Sequence, residues 1–174
     1  LLGLTPALVV GDLDSLDEGE HKRLSALGCR FVVHPVAKDE TDLELALHWC
    51  CRDGATDITV VGAFGGRPDH WLGNVMLLAD PRLRHRRVTL RSRQWELWLS
   101  RGDALIQGGA GDTVSLIPLS ALVTGIVTDG LLYPLHGETL RRGPARGVSN
   151  VMTQRVATVR FARGLLIVVH GPPT

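Results

Sequence analysis

The residues best able to do chemistry begin with Asp12 and Asp14, two apart in VVGDLDS, where a β-branched run ends at Gly11. In an extended segment residues i and i+2 project to one side, so both carboxylates are expected to face one solvent pocket where the strand stops. At an effective dielectric of about 20 and roughly 4 Å, two such charges repel by around 4 kcal/mol, so the pair must share a proton, bind a cation or splay apart. The same D-x-D-S pattern is also turn and capping chemistry. Two more stretches carry comparable potential. AKDETD places Asp39 and Asp42 three apart beside Lys38 and Thr41, at a helix start where one acid can cap while the other turns outward. GAFGGRPDH sets Gly62, Gly65 and Gly66 ahead of Arg67, Asp69 and His70. Glycines let backbone approach a ligand, and the helix start that follows favours phosphate. Arg67, His70 and Asn74 fall at spacings of three and four, on one polar stripe if the helix begins near Arg67. The loop lacks the Walker pattern, and a glycine cluster of that kind is by itself usually just a loop; taken with the two acidic segments, the general expectation is a site for divalent metal and phosphates.

Three strand–helix units are expected to position these segments. Ala7–Val10 reads as a strand, and Ser15 with Glu18 as a capping box opening a helix that Gly28 closes. Cys29–Val33 is the next strand. Thr41 with Glu44 forms a second capping box before DLELALHWCCRDG, a helix stopped by Gly54. Ile58–Val61 is a strand, Asp69–Ala79 carries apolar residues at helical spacing, and Val88–Leu90 closes this half. The alternation predicts a parallel-sheet α/β domain, Rossmann-like and three-layered, over residues 1–92. Ligands bind outside the carboxyl ends of such strands, which is where all three segments are expected to converge.

Residues 93–174 read differently. Thirteen of the 18 acidic residues lie at or before position 92, and the remainder of the chain is short β-branched runs separated by turn residues. QWELWLS, DALIQG, DTVSLIPL, ALVTGIVT, LLYPL, RVATVRFA and GLLIVVH give the pattern of an antiparallel β-sandwich domain. Trp95 and Trp98 read as packing residues. Six arginines between Arg82 and Arg93 lack interleaved aromatics and read as a solvated edge strand and loop.

At 174 residues and a formal charge of +1, the chain has room for a core and no general affinity for polyanions, which argues against nucleic acid as a partner. No apolar run reaches the roughly 18 residues of a membrane span, and no basic flank marks a signal peptide. Three cysteines, two of them adjacent, suit reduced thiols and a cytoplasmic setting.

GDLDS, KDETD with its helix ending in ALHWC, and GAFGGRPDHWLGN, in this order and at these separations, resemble the bacterial thiamine pyrophosphokinases. SLIPL, GLLYPL, GVSN and the terminal GLLIVVH resemble the β-sandwich domain of that family. The resemblance implies transfer of a pyrophosphoryl group from ATP to the hydroxyethyl oxygen of thiamine, giving AMP and thiamine diphosphate. It implies that Asp12, Asp14 and Asp42 associate with Mg²⁺ and that Lys38, Asp39 and Thr41 contact nucleotide or metal. Arg67, with Asp69 beside it, matches the arginine that grips ATP phosphate, and Ser149 and Asn150 match residues lining the thiamine pocket; His70 and Asn74, on the same polar stripe as Arg67, are expected on the nucleotide side. A homodimer with a shared active site, between the α/β domain of one subunit and the sandwich of the other, is also implied. Asp12 and Asp69 are the two candidates to accept the hydroxyl proton. The family normally begins with a further strand and an acidic, glycine-containing segment, and often has Asp where Ala7 stands; the chain is expected to lack these. Two rival readings stay open: a non-catalytic thiamine- or nucleotide-binding descendant, and a pyrophosphokinase for another alcohol such as a pterin.

Overall fold

The computed structural model describes residues 4–174. Two compact units are present, Leu1–Ala55 and Thr56–Thr174. This division falls earlier than the change in composition near residue 92, and sheet pairing explains why.

In the first unit, β1 (Leu8–Gly11) pairs in parallel with β2 (Arg30–Val33), Val9 opposite Phe31. Between them runs α1 (Glu18–Ala26), and after them α2 (Asp42–Arg52). Thr41 caps α2 as expected, its side chain accepting the Glu44 N–H at 3.2 Å. The cap of α1 differs from the Ser15 expectation: Asp17 accepts the Glu20 N–H at 2.8 Å. The chain ahead of it is taken up by a turn in which the Leu16 N–H donates to the Leu13 carbonyl. Asp17 offers the same acceptor three residues before a glutamate, so the capping register slides by two. Gly28 and Gly54 end the two helices at φ of 81° and 83°. In each case the next N–H reaches back to the helix, Cys29 to the Leu24 carbonyl and Ala55 to the Cys50 carbonyl, satisfying otherwise orphaned acceptors.

The second unit opens with β3 (Asp57–Val61) and α3 (Pro68–Leu77), followed by β4 (Arg87–Arg91). Next come β5 (Glu96–Ser100), β6 (Ala104–Gln107), β7 (Thr113–Pro118), β8 (Leu122–Asp129) and β9 (His136–Arg141). The chain closes with β10 (Asn150–Val151), β11 (Val156–Arg160) and β12 (Leu166–Gly171). One sheet has the order β10-β7-β12-β5-β4-β3 and a second has β6-β11-β8-β9. Their facing sides enclose a core that includes Ile106, Val114, Leu116, Ile126, Leu140, Val159 and Val168. The architecture is thus α/β followed by a β-sandwich.

Parallel pairing is confined, among the described strands, to β1–β2 and β3–β4, where one continuous parallel sheet was expected. Nor is β4 an edge strand. Val88, Thr89 and Leu90 are all buried, because β4 lies between β3 and β5, and only its terminal arginines reach solvent. The reason is the reversal after Arg91. The Ser92 N–H donates to the Trp95 carbonyl at 2.8 Å, and a turn this short joins antiparallel strands. β3 and β4 therefore run without a break into the sandwich. Trp95 packs against the backbone of Gly171, where a Cβ would come within 2.3 Å of its ring, and Trp98 lies against the core. LLYPL makes a single bridge, Leu131 to Met152, in place of a strand. Conversely the polar HGETLR forms β9, with Leu140 facing inward. No helix among the described residues is long and apolar enough to cross a membrane.

Candidate active site

In the first unit the site residues gather where β1 ends. Because β1 stops at Gly11, Asp12 and Asp14 lie beyond the strand, and Leu13 between them has a left-handed φ of 62°. Strand alternation therefore does not relate the two carboxylates as expected. They are linked instead by the Asp14 N–H, which donates to Asp12 Oδ1 at 3.3 Å. Lys38 gathers the charges: its Nζ is 2.9 Å from Asp42 Oδ1 and 3.7 Å from Asp12 Oδ2. Lys38 and Asp12 are largely shielded, with side chains 12% and 17% exposed, while Asp42 is open at 55%. The Asp14 N–H, and after it Lys38, hold the Asp12 carboxyl below the usual carboxylate range. The bond to Asp42, supported by Asp12, keeps the Lys38 ammonium charged to higher pH than usual. Gly11 makes the close approach possible, since a Cβ there would lie 3.2 Å from the Asp42 carboxylate. The Thr41 hydroxyl is committed to capping α2. Asp14 and Asp39 are exposed.

In the second unit Arg67 is the N-cap of α3, followed by Pro68 at the first helical position, where the missing N–H costs nothing. Its guanidinium forks onto Asp69, Nε to Oδ1 at 3.2 Å and Nη2 to Oδ2 at 2.5 Å. This contact lowers the Asp69 pKa and raises that of Arg67. Both groups are more than half exposed, so the fork can be exchanged for another anion. Asn74 is anchored, its Nδ2 donating 2.9 Å to the carbonyl of buried Ala63 and so fixing the glycine loop to α3. His70 is exposed. Gly62 holds a φ of 79°, and a Cβ at Gly62, Gly65 or Gly66 would meet nothing within 4 Å. The loop therefore presents bare backbone. Beside it, at the carboxyl ends of β3 and β4, Val61, Gly62, Phe64, Arg91, Ser92 and Arg93 line a cleft of about 470 Å³.

On the sandwich, Ser149 is exposed at a φ of 60°, and Asn150 is 9% exposed. Asn150 Oδ1 accepts the Tyr133 N–H at 3.0 Å, and its Nδ2 donates to the Tyr133 carbonyl at 2.7 Å. Phe64, Arg91 and Arg93 line the cleft beside the glycine loop, where residue type alone does not place them. For the arginines the signal was their place at the carboxyl end of β4, hidden inside a longer basic run.

The model of the domain described as "Thiamin pyrophosphokinase, catalytic domain" matches residues 1–90, and that of "Thiamin pyrophosphokinase, vitamin B1 binding domain" matches residues 104–166. The chain belongs to the thiamine pyrophosphokinase family. It is 31% identical over 171 residues to the thiamine pyrophosphokinase of Bacillus subtilis, covering 97% of this chain and 80% of that protein. The crystal structure of a Bacillus subtilis thiamine pyrophosphokinase superposes with a TM-score of 0.87 at 29% identity, covering 99% of this chain and 81% of the other. For the thiamin pyrophosphokinase of Geobacillus thermodenitrificans the values are 0.82, 30%, 97% and 79%. Of the stretches on which the sequence resemblance rested, GDLDS and KDETD carry the Asp12–Lys38–Asp42 cluster, GGRPD the Arg67–Asp69 fork, and GVSN the Asn150–Tyr133 clamp.

Proposed function

We propose that the chain performs the reaction of its family, transfer of the pyrophosphoryl group of ATP to the hydroxyl of thiamine, giving thiamine diphosphate and AMP. The observation that carries this reading to particular residues is the Asp12–Lys38–Asp42 cluster at the end of β1, in which one ammonium sits between two carboxylates. Asp12, Asp14 and Asp42 offer only carboxylate oxygens, the hard donors that suit Mg²⁺, and Gly11 leaves the space beside Asp42 that a Cβ would fill. These three would hold the ion. Bound magnesium supplies charge neutralisation at the phosphate oxygens.

The chain's own residues supply position. Lys38 brings a fixed positive charge beside Asp12 and Asp42, and Asp39 and Thr41 join it on the nucleotide side. Arg67 grips ATP phosphate by exchanging its fork on Asp69, with His70 and Asn74 behind it on α3. Phosphoryl chemistry of this kind needs orientation and charge compensation more than a reactive nucleophile. Asp12 and Asp69 remain the two candidate proton acceptors. The segment carrying Ser149 and Asn150 forms the wall facing thiamine.

Residues 1–92 are thereby assigned to ATP and Mg²⁺ and residues 93–174 to thiamine, with a homodimer as the working assembly. Three free cysteines support a cytoplasmic setting. Incubation with Mg-ATP and thiamine should release AMP and thiamine diphosphate in equal amounts. Thiamine binding without AMP release would make the protein a binding module, and turnover of a pterin alcohol in preference to thiamine would make it a different pyrophosphokinase.

A further inference from the structure

The segment 147–151 is fastened on both sides by a contiguous set of hydrogen bonds. Towards β7, the Leu116 N–H donates to the Gly147 carbonyl at 2.8 Å, and the Ser149 N–H donates to Ser115 Oγ at 3.0 Å. Towards the 131–133 backbone, the Leu132 N–H donates to the Val151 carbonyl at 2.8 Å. The Asn150 carboxamide brackets the Tyr133 peptide, taking its N–H and giving to its carbonyl, while Oδ1 also accepts the Val151 N–H at 2.9 Å.

Two features distinguish this from ordinary packing. Ser115 and Asn150 are buried, at 8% and 9% exposure, yet what they hold is exposed: Ser149, and Tyr133 at 65%. Ser149 also keeps a left-handed backbone, one of two non-glycine residues to do so among the described residues. A β-carbon resists that conformation, so something must hold it there. The Ser115 hydroxyl is placed to do so.

We propose that Ser115 and Asn150 are positioning residues for thiamine, acting through the Ser149 backbone and the Tyr133 peptide without touching the substrate. The proposal rests on the assignment of the 149–150 segment to thiamine binding. It gives Ser115, the first residue of SLIPL and one to which the resemblance assigns no role, a part in substrate use, and it gives the Asn150 amide a role in shape.

The test combines steady-state kinetics and melting curves for Ser115→Ala, Ser149→Gly, their double variant and Asn150→Ala with hydrogen exchange of the full chain with and without thiamine. Loss of the hydroxyl in Ser115→Ala should raise the thiamine KM roughly tenfold while leaving the ATP KM within about twofold. In the Ser149→Gly background the same change should cost less than about threefold, because glycine takes the left-handed conformation unaided. Asn150→Ala should raise the thiamine KM and speed exchange at the Tyr133 amide. Equal effects on both substrates, or an undiminished cost in the glycine background, would overturn the proposal. If thiamine protects 131–135 and 147–151 but Ser115→Ala leaves its KM unchanged, positioning fails while the site assignment survives. If thiamine protects neither segment, the assignment fails and the proposal with it.

Discussion

Two glycine-to-alanine substitutions with opposite expected outcomes test whether the backbone approaches described above are real. A Cβ at Gly147 would lie 2.1 Å from the Leu116 carbonyl oxygen, far inside the 3.4 Å at which ordinary contact begins. Relief requires the segment to lift from β7, breaking the bond from the Leu116 N–H and the bond from the Ser149 N–H to Ser115. Leaving the buried Leu116 N–H unmet costs about 1–3 kcal/mol and losing the bond from exposed Ser149 about 1 more, so Gly147→Ala should destabilise by roughly 2–4 kcal/mol. At about 2–4 °C per kcal/mol for a chain of this size, the melting temperature should fall by roughly 5–15 °C. At Gly65 a Cβ meets nothing within 4 Å. Gly65→Ala should therefore leave the melting temperature unchanged or slightly raised, since alanine restricts the unfolded chain more than glycine. Its effect should appear as a higher KM for ATP, because the bare loop is where phosphate is expected to approach. Calorimetry with steady-state kinetics on both variants provides the measurement. A Gly147→Ala protein melting with the wild type would refute the packing argument, and a Gly65→Ala protein impaired for thiamine but not ATP would refute the loop assignment.

Asp14→Asn should reduce turnover by orders of magnitude with an unchanged circular dichroism spectrum and melting temperature; near-normal turnover removes Asp14 from the metal group. Thr41→Ala removes the cap of α2 and should cost about 1 kcal/mol in a denaturant melt, with no measurable loss counting against a capping role. The pH dependence of stability should carry a signature of Asp112, whose pKa is lowered by the Gly109 N–H and then by His170 at 3.0 Å. A depressed carboxylate contributes stability above its unfolded value of 3.8, and the contribution is lost as pH falls through the folded pKa. Asp112→Asn should accordingly lose less stability than the wild type between pH 5 and 3, and parallel acid limbs would show that the pair contributes nothing.

Local signals carried a large share of the structure. Thr41, Gly28 and Gly54 mark helix ends through capping and left-handed chemistry that depends on a few neighbouring residues, and all three stand where expected. Apart from LLYPL, the strand runs read in the sandwich were equally legible, because the core between two sheets demands alternating apolar residues. Non-local pairing was not legible. Nothing within VTL states that β4 is flanked on both sides, and the arginines at its ends made a central strand read as an edge. HGETLR hid β9, since one buried leucine suffices where the other face is wet. Among site residues, acids near β1 and the basic fork could be read from residue type. The Lys38 bridge and the Asn150 grip on Tyr133 could not, because each depends on where a distant backbone passes.

The uninterrupted ladder from β3 through β4 to β5 also bears on how the protein could be cut and recombined. The two matched family models leave a gap between residues 90 and 104, which invites a splice at that point. Such a splice would part β4 from β5 and expose two unmated strand borders, each a template for aggregation. A chimera joined between residues 55 and 56 severs no described ladder. The cut that severs no described sheet is therefore at Ala55, and it leaves β3, α3 and β4 on the sandwich side.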